Sequence, residues 1–132
     1  MDSSLQETMA NENVYFRGYN SDFDIFGNKD SHSFTWITDD LQYAAEYARV
    51  SSGRIAVVKL MPGNIADAYF LDEDFDYIAP AEEDMMSLYA SGFIGYSFYA
   101  NHNDSYCLCV KSNALKVCGI INKTEFINIL KY

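Results

Sequence analysis

The sequence predicts an α+β domain, and three observations carry that prediction. Short runs of β-branched and aromatic residues, bounded by turn residues, recur along the chain as strands do. Between them the apolar period lengthens from two to three or four, the mark of helices. The length of 132 residues, 49% hydrophobic and 16% aromatic, suits one well-filled core rather than a disordered chain.

Met1 to Asn13 is polar and lacks periodicity, which predicts a flexible N-terminus (1–13) ahead of a single domain at 14–132. Val14-Tyr15-Phe16-Arg17-Gly18-Tyr19 reads as the first strand. Arg17 is a charge inside an aromatic run, and two readings are open. It can snorkel or stack on Tyr15 or Tyr19, or its planar fork can hold a phosphate or carboxylate. Gly18, directly after it, lets a ligand approach the backbone. Asn20 to Asp30 reads as a loop.

Ser33 to Ala48 is the stretch around which the rest is arranged. Phe34, Trp36 and Thr38 alternate with Thr35 and Ile37 as in a strand, then Leu41, Ala44, Ala45 and Ala48 recur at helical spacing. Asp39, with Gln42 three residues on, predicts the N-cap of that helix. Strand end, turn and helix N-terminus therefore share a corner, and helix N-termini favour anions.

Ser51-Ser52-Gly53 closes the helix, Arg54 to Leu60 is a strand, and Met61-Pro62-Gly63 is a turn. Glu82-Glu83-Asp84 opens a short helix carrying Met85, Leu88 and Tyr89 on one face and stopped by Gly92. A strand follows Gly92, Asn101 to Asp104 turns the chain, and Ser105 to Val110 returns as the second arm of a hairpin. Leu115 to Ile121 is the last strand, and Asn122 to Glu125 is a capping box for a terminal helix.

Nineteen acids against nine bases give a net charge of −10. That balance argues against nucleic-acid binding and against anionic membranes, and favours a basic partner. The acids cluster at Asp67 to Asp76 and at Glu82-Glu83-Asp84, where solvated loops and helix starts usually carry them. No apolar run reaches the length of a membrane span and no signal segment opens the chain, so a cytoplasmic location is expected. Cys107, Cys109 and Cys118 lack zinc-ligand spacing and read as small buried hydrophobes, the first two on one side of a strand. No metal is expected.

Three segments in order resemble the ADP-ribosyltransferase superfamily, in particular its small phage- and bacteria-encoded branch. They are Tyr15-Phe16-Arg17-Gly18, the strand Phe34-Thr35-Trp36-Ile37-Thr38-Asp39 with its helix, and Gly92-Phe93-Ile94-Gly95 running into the hairpin. Asn64 to Asp72 resembles the family's intervening segment loosely. The resemblance covers about Val14 to Ile121. It implies a mixed sheet split into two halves with NAD, as substrate, in the cleft between them. The activity implied is mono-ADP-ribosylation of a side chain on a host protein, which suits an anti-defence factor or toxin acting in the host cytoplasm. Arg17 would then meet a phosphate of the dinucleotide and Gly18 would give backbone approach. Thr35 and Thr38 would contact the nicotinamide ribose, and Tyr43 or Tyr47 would form an aromatic wall.

Cleaving the nicotinamide–ribose bond passes through an oxocarbenium-like state, which a nearby carboxylate stabilises. Relatives place a glutamate in the hairpin. Here the turn reads Asn101-His102-Asn103-Asp104, which makes Asp104 the candidate catalytic residue, with an ordinary turn aspartate as the other reading. Asp67 and Asp72 are the next acids to consider. The competing class is a non-catalytic acidic interaction protein, a nucleic-acid mimic or inhibitor on the same fold.

Overall fold

The structure, a computed structural model, describes residues 3–20, 34–48, 53–100, 105–122 and 125. The predicted loop from Asn20 to Asp30 beyond its first residue, the Ser51-Ser52 closure, the hairpin turn at 101–104 (with Asp104 and His102) and the terminal helix beyond 125 lie outside the described residues.

The α+β class holds. Helices α1 (Ser3–Asn11), α2 (Leu41–Tyr47) and α3 (Glu82–Ala90) accompany seven strands. The strands are β1 (Tyr15–Asn20), β2 (Phe34–Thr38), β3 (Gly53–Leu60), β4 (Asn64–Asp67), β5 (Phe93–Tyr99), β6 (Tyr106–Lys111) and β7 (Leu115–Ile121). They form one open mixed sheet in the order β4-β5-β6-β2-β1-β3-β7. Only β4 and β5 run parallel, joined through α3, because a parallel pair needs a long crossover whereas the antiparallel pairs do not. Among the described residues no helix is long and apolar enough to cross a membrane.

The sheet is narrowest at its middle. β1 pairs with β3 over six positions and β2 with β6 over five, but β1 meets β2 at one, Phe16 opposite Thr38. Past that pair the two strands part, leaving β4-β5-β6-β2 on one side and β1-β3-β7 on the other.

A short link bends the halves together. Only Ser112–Ala114, one turn of 3-10 helix, separates β6 from β7. In a flat sheet four strand spacings, roughly 19 Å, lie between these strands. By register, Lys111 and Leu115 would also sit about seven residues apart along the strands, roughly 23 Å. Four chain steps span at most about 14 Å. The sheet must therefore coil, and its inner face closes on itself. Ile37, Leu108 and Val110 from one half pack with Ala56, Val58 and Leu115 from the other.

Two polar contacts pin the passage. The Met61 amide donates to the Ala114 carbonyl at 2.7 Å, and Thr35 Oγ1 shares a 2.6 Å hydrogen bond with Ser112 Oγ. On the outer face α1 and α2 cover one half over Phe16, Ile55, Val57 and Ile121. α3 covers the other half over Ala66, Tyr96 and Cys109.

The N-terminus corrects the expectation of a flexible segment at 1–13. Ser3–Asn11 is a helix whose Leu5 is buried, with Met9 packed on the same cluster. The reason is tertiary. A Cβ on Gly119 would stand 2.8 Å from Leu5 Cδ1, so the missing side chain on β7 is the notch Leu5 fills. Glu12 and Lys59 add an ion pair beyond the helix end.

Thr35→Val keeps the shape but removes the hydroxyl bond across the passage, at a cost of about 1–3 kcal/mol. Urea unfolding should show that loss for Thr35→Val and near-full recovery for Thr35→Ser. Unchanged stability in Thr35→Val would mean the bond does not hold the passage.

Candidate functional site

Where β1 and β2 part, the outer face carries a cavity of about 460 Å³. One wall is β1 and β2 themselves, with Phe16, Arg17, Gly18 and Trp36 to Thr38. A second is α2, through Tyr43, Ala44 and Tyr47. The third comes from the other half of the sheet, through Tyr77, Ile78, Phe98 to Ala100 and Cys107. The size and a lining that includes seven aromatic residues suit an organic ligand carrying flat rings.

Arg17 bridges the opening between the strands, its Nη1 donating to the Trp36 carbonyl at 3.2 Å. Burial pulls its guanidinium below the ordinary arginine value, yet an arginine stays charged at any physiological pH. It is the one charged side chain among the described residues lining the cavity. A fork held at one end by a carbonyl is oriented before a phosphate or carboxylate arrives.

Gly18 is brought to the cavity for a reason the sequence did not suggest. A Cβ there would lie 2.3 Å from the Ala44 carbonyl oxygen and 3.0 Å from Tyr47 Cβ. The space above Gly18 is therefore occupied by α2, and the glycine lets that helix sit against β1. Backbone access for a ligand is not what the missing side chain provides at this position.

The strand-to-helix corner also differs in its cap. Asp40, not Asp39, is the N-cap: its Oδ1 accepts from the Gln42 and Tyr43 amides at 3.0 and 3.3 Å. Its Oδ2 accepts from Ser105 Oγ at 2.7 Å, tying the helix to the start of β6. Asp39 is exposed, and partial burial followed by repulsion from Asp40 raises its carboxyl above the ordinary value. Thr38 lines the cavity, but its hydroxyl donates to the Tyr106 carbonyl at 2.9 Å and accepts from the Asp40 amide at 3.1 Å. Its first role is to hold the corner.

Thr35 is not brought to the site. Strand parity puts it on the inner face, fully buried against Ser112, so the expected contact with a ribose gives way to the bond at the passage. Tyr43 and Tyr47 do reach the cavity. Their rings meet edge to face at 5.1 Å and their hydroxyls lie 3.2 Å apart. Burial and then the bond to Tyr47 push the Tyr43 hydroxyl well above its ordinary value.

Asp104 lies outside the described residues. Ala100 lines the cavity, its amide donates to the Ser105 carbonyl at 2.9 Å, and Ser105 holds Asp40. The two reserve acids are elsewhere. Asp67 accepts from Ser97 Oγ at 3.0 Å, with Ser97 on the inner face, and Asp72 accepts from the Asp74 amide in an exposed turn.

Sequence reasoning missed Tyr77, Ile78, Phe98 and Tyr99. The Tyr77 ring stands 5.7 Å from Phe98, and its carbonyl accepts a hydrogen bond from the buried Tyr96 hydroxyl. Asp76 Oδ1 accepts from the Ile78 and Ala79 amides, fixing the loop. For the loop, the available signal was Phe75, Tyr77 and Ile78, large apolar residues inside an otherwise acidic, irregular segment.

Comparison with known proteins finds no matching family model, no similar curated protein and no similar solved structure. Among the described residues no group of His, Cys, Asp and Glu is placed to hold a metal ion.

Gly18→Ala should cost about 1–3 kcal/mol, because α2 must move off β1. Thermal unfolding reads the cost, and an unchanged midpoint would contradict the close approach of the helix. Alkaline stability supplies a second test. Burial holds the Cys107 thiol above its ordinary value and pushes Cys109 up to about 12, with the Tyr43, Tyr89 and Tyr96 hydroxyls also raised. Each group keeps its proton in the folded state at a pH where the unfolded chain releases it. Their contribution is complete below the unfolded values, about 8.5 for thiols and 10 for phenols, and is lost as pH rises toward the folded ones. For Cys109 alone the slope approaches about 1.4 kcal/mol per pH unit. The melting temperature should hold between pH 7 and 8 and fall from pH 9 to 11. A flat profile to pH 10.5 would contradict the burial of these groups.

Proposed function

We propose that this chain binds NAD in the cavity at the β1–β2 junction and transfers ADP-ribose from it to a side chain of a host protein. The observation that carries the reading is convergence. Arg17, Gly18, Thr38, Tyr43 and Tyr47, drawn from two separate segments with the resemblance, surround one cavity. The donor set fits the dinucleotide: aromatic walls for its flat rings and an oriented guanidinium for its phosphates. Asp104 is the acid of the reading, supported by its position between Ala100, which lines the cavity, and Ser105. In the transfer, the bond between the ribose carbon and the nicotinamide nitrogen breaks with its electron pair going to nicotinamide. The carboxylate stabilises the positive charge left on the ribose until the target side chain attacks.

A second reading has one observation in its favour. No carboxylate lines the cavity among the described residues, which suits a binding protein without turnover.

Two measurements separate them. Millimolar NAD should raise the melting temperature, since ligand at a hundred times its dissociation constant adds about 2.7 kcal/mol. Arg17→Ala should lose this response at a cost of about 1 kcal/mol in the unliganded protein, and Arg17→Lys should restore part of it. Nicotinamide release should fall roughly 10²–10³-fold in Asp104→Asn while the NAD-induced shift persists. A shift without nicotinamide release in the unaltered protein, with a target-cell lysate present, favours the binding protein. No shift at all overturns the NAD reading.

A further inference from the structure

On the turn that follows β4, Tyr69 and Phe70 are 81% and 78% exposed, with their ring centroids 4.9 Å apart. Two large rings in contact, tilted by 43° and standing in solvent, are an unusual use of aromatic surface, and such patches mark interaction sites. Their surroundings restrict what can cover them. Between Lys59 and Lys111 the chain has no lysine or arginine but nine acids. Exposed Asp72, Glu73 and Asp74 follow Phe70 within four residues.

We propose that the Tyr69–Phe70 pair is a docking face for a basic segment of a partner protein, one that interleaves arginine or lysine with apolar residues. The charge pattern selects this occupant. Nucleic acid and anionic lipid are repelled, and a second copy brings the same acids and a net charge of −10 to the contact. A guanidinium gains twice here, over the ring faces and against the neighbouring carboxylates, while apolar residues cover the rings. The same acidic segment runs on to Tyr77 and to Ile78, itself 64% exposed, and both line the cavity. Asp67 pairs with Ser97, so the turn carrying Tyr69 and Phe70 runs on beside the Phe98–Tyr99 end of β5, which also lines the cavity. The docking face stands on these residues alone and does not depend on NAD binding.

Fluorescence anisotropy with two labelled synthetic peptides tests it, one built of arginine and leucine and the other with every arginine replaced by glutamine. The arginine peptide should bind at 50 mM salt and the glutamine peptide at least tenfold more weakly. The double variant Tyr69→Ser/Phe70→Ser should weaken binding of the arginine peptide at least tenfold with an unchanged melting temperature. Asp72→Asn/Glu73→Gln/Asp74→Asn should weaken it several-fold and flatten its salt dependence. Equal binding of both peptides, no binding of either, or full affinity in the aromatic variant would overturn the proposal. Sedimentation supplies one more arm: a dimer in the unaltered protein that the aromatic variant converts to monomer would assign the face to a second copy and overturn it too.

Discussion

A passage of three residues from β6 to β7 governs the shape of this molecule. Ser112–Ala114 must join strands that three other strands separate, and it is far too short to do so across a flat sheet. The sheet has to coil until its ends approach over the inner face. That demand is met where pairing is thinnest, at the single Phe16–Thr38 position between β1 and β2. Burial then rewards the bend, since Ile37, Leu108 and Val110 close on Ala56 and Val58, each almost completely removed from water. Thr35 and Ser112 secure the crossing by exchanging a hydrogen bond inside this core.

The same bend makes the cavity. Two strands that diverge leave room between α2 on one half and the Tyr77–Ile78 loop on the other, and Arg17 stands at the fork with its Nη1 on the Trp36 carbonyl. Helix α2 is held against this opening from two sides. Gly18 admits it onto β1, and Asp40 fixes its first turn while also accepting from the Ser105 hydroxyl just ahead of β6. The corner is thus braced by groups from both halves of the sheet, the condition under which a binding site keeps its geometry.

Much of the secondary structure was legible because local pattern and tertiary demand agree. Strand alternation in Phe34 to Thr38, the apolar run of β3 and the glycine that ends α3, with φ of +96° at Gly92, are local signals and sit where expected. The misses share a cause, which is dependence on a distant residue. Ser3–Asn11 has little helical pattern of its own and is held by Leu5 in the notch at Gly119. Between adjacent aspartates the cap went to Asp40, the one that Ser105 can also reach. Thr35 and Thr38 look alike in sequence, but three residues along a strand places them on opposite faces, one in the core and one at the cavity. Of the site, Arg17, Gly18, Thr38, Tyr43 and Tyr47 were readable from short motifs. Tyr77 and Phe98 were not, because only the fold brings their loop and strand end beside α2.

Charge and cavity divide the molecule's surface between two tasks. The cavity holds one guanidinium among aromatic walls, while eight of the nineteen acids lie along the segment from Asp67 to Asp84 and none of those eight lines it. A small anionic ligand and a basic macromolecular partner would therefore use adjoining but distinct surfaces. The claim on which this account turns is that NAD occupies the β1–β2 junction, and amide chemical-shift mapping during an NAD titration tests it most directly. The account predicts that the largest shifts fall on Gly18, Trp36 to Thr38, Tyr43 to Tyr47 and Ala100, while Tyr69 to Asp74 stay unmoved. Shifts centred on the inner-face residues Ala56, Val58 and Leu108, or none at millimolar NAD, would contradict it.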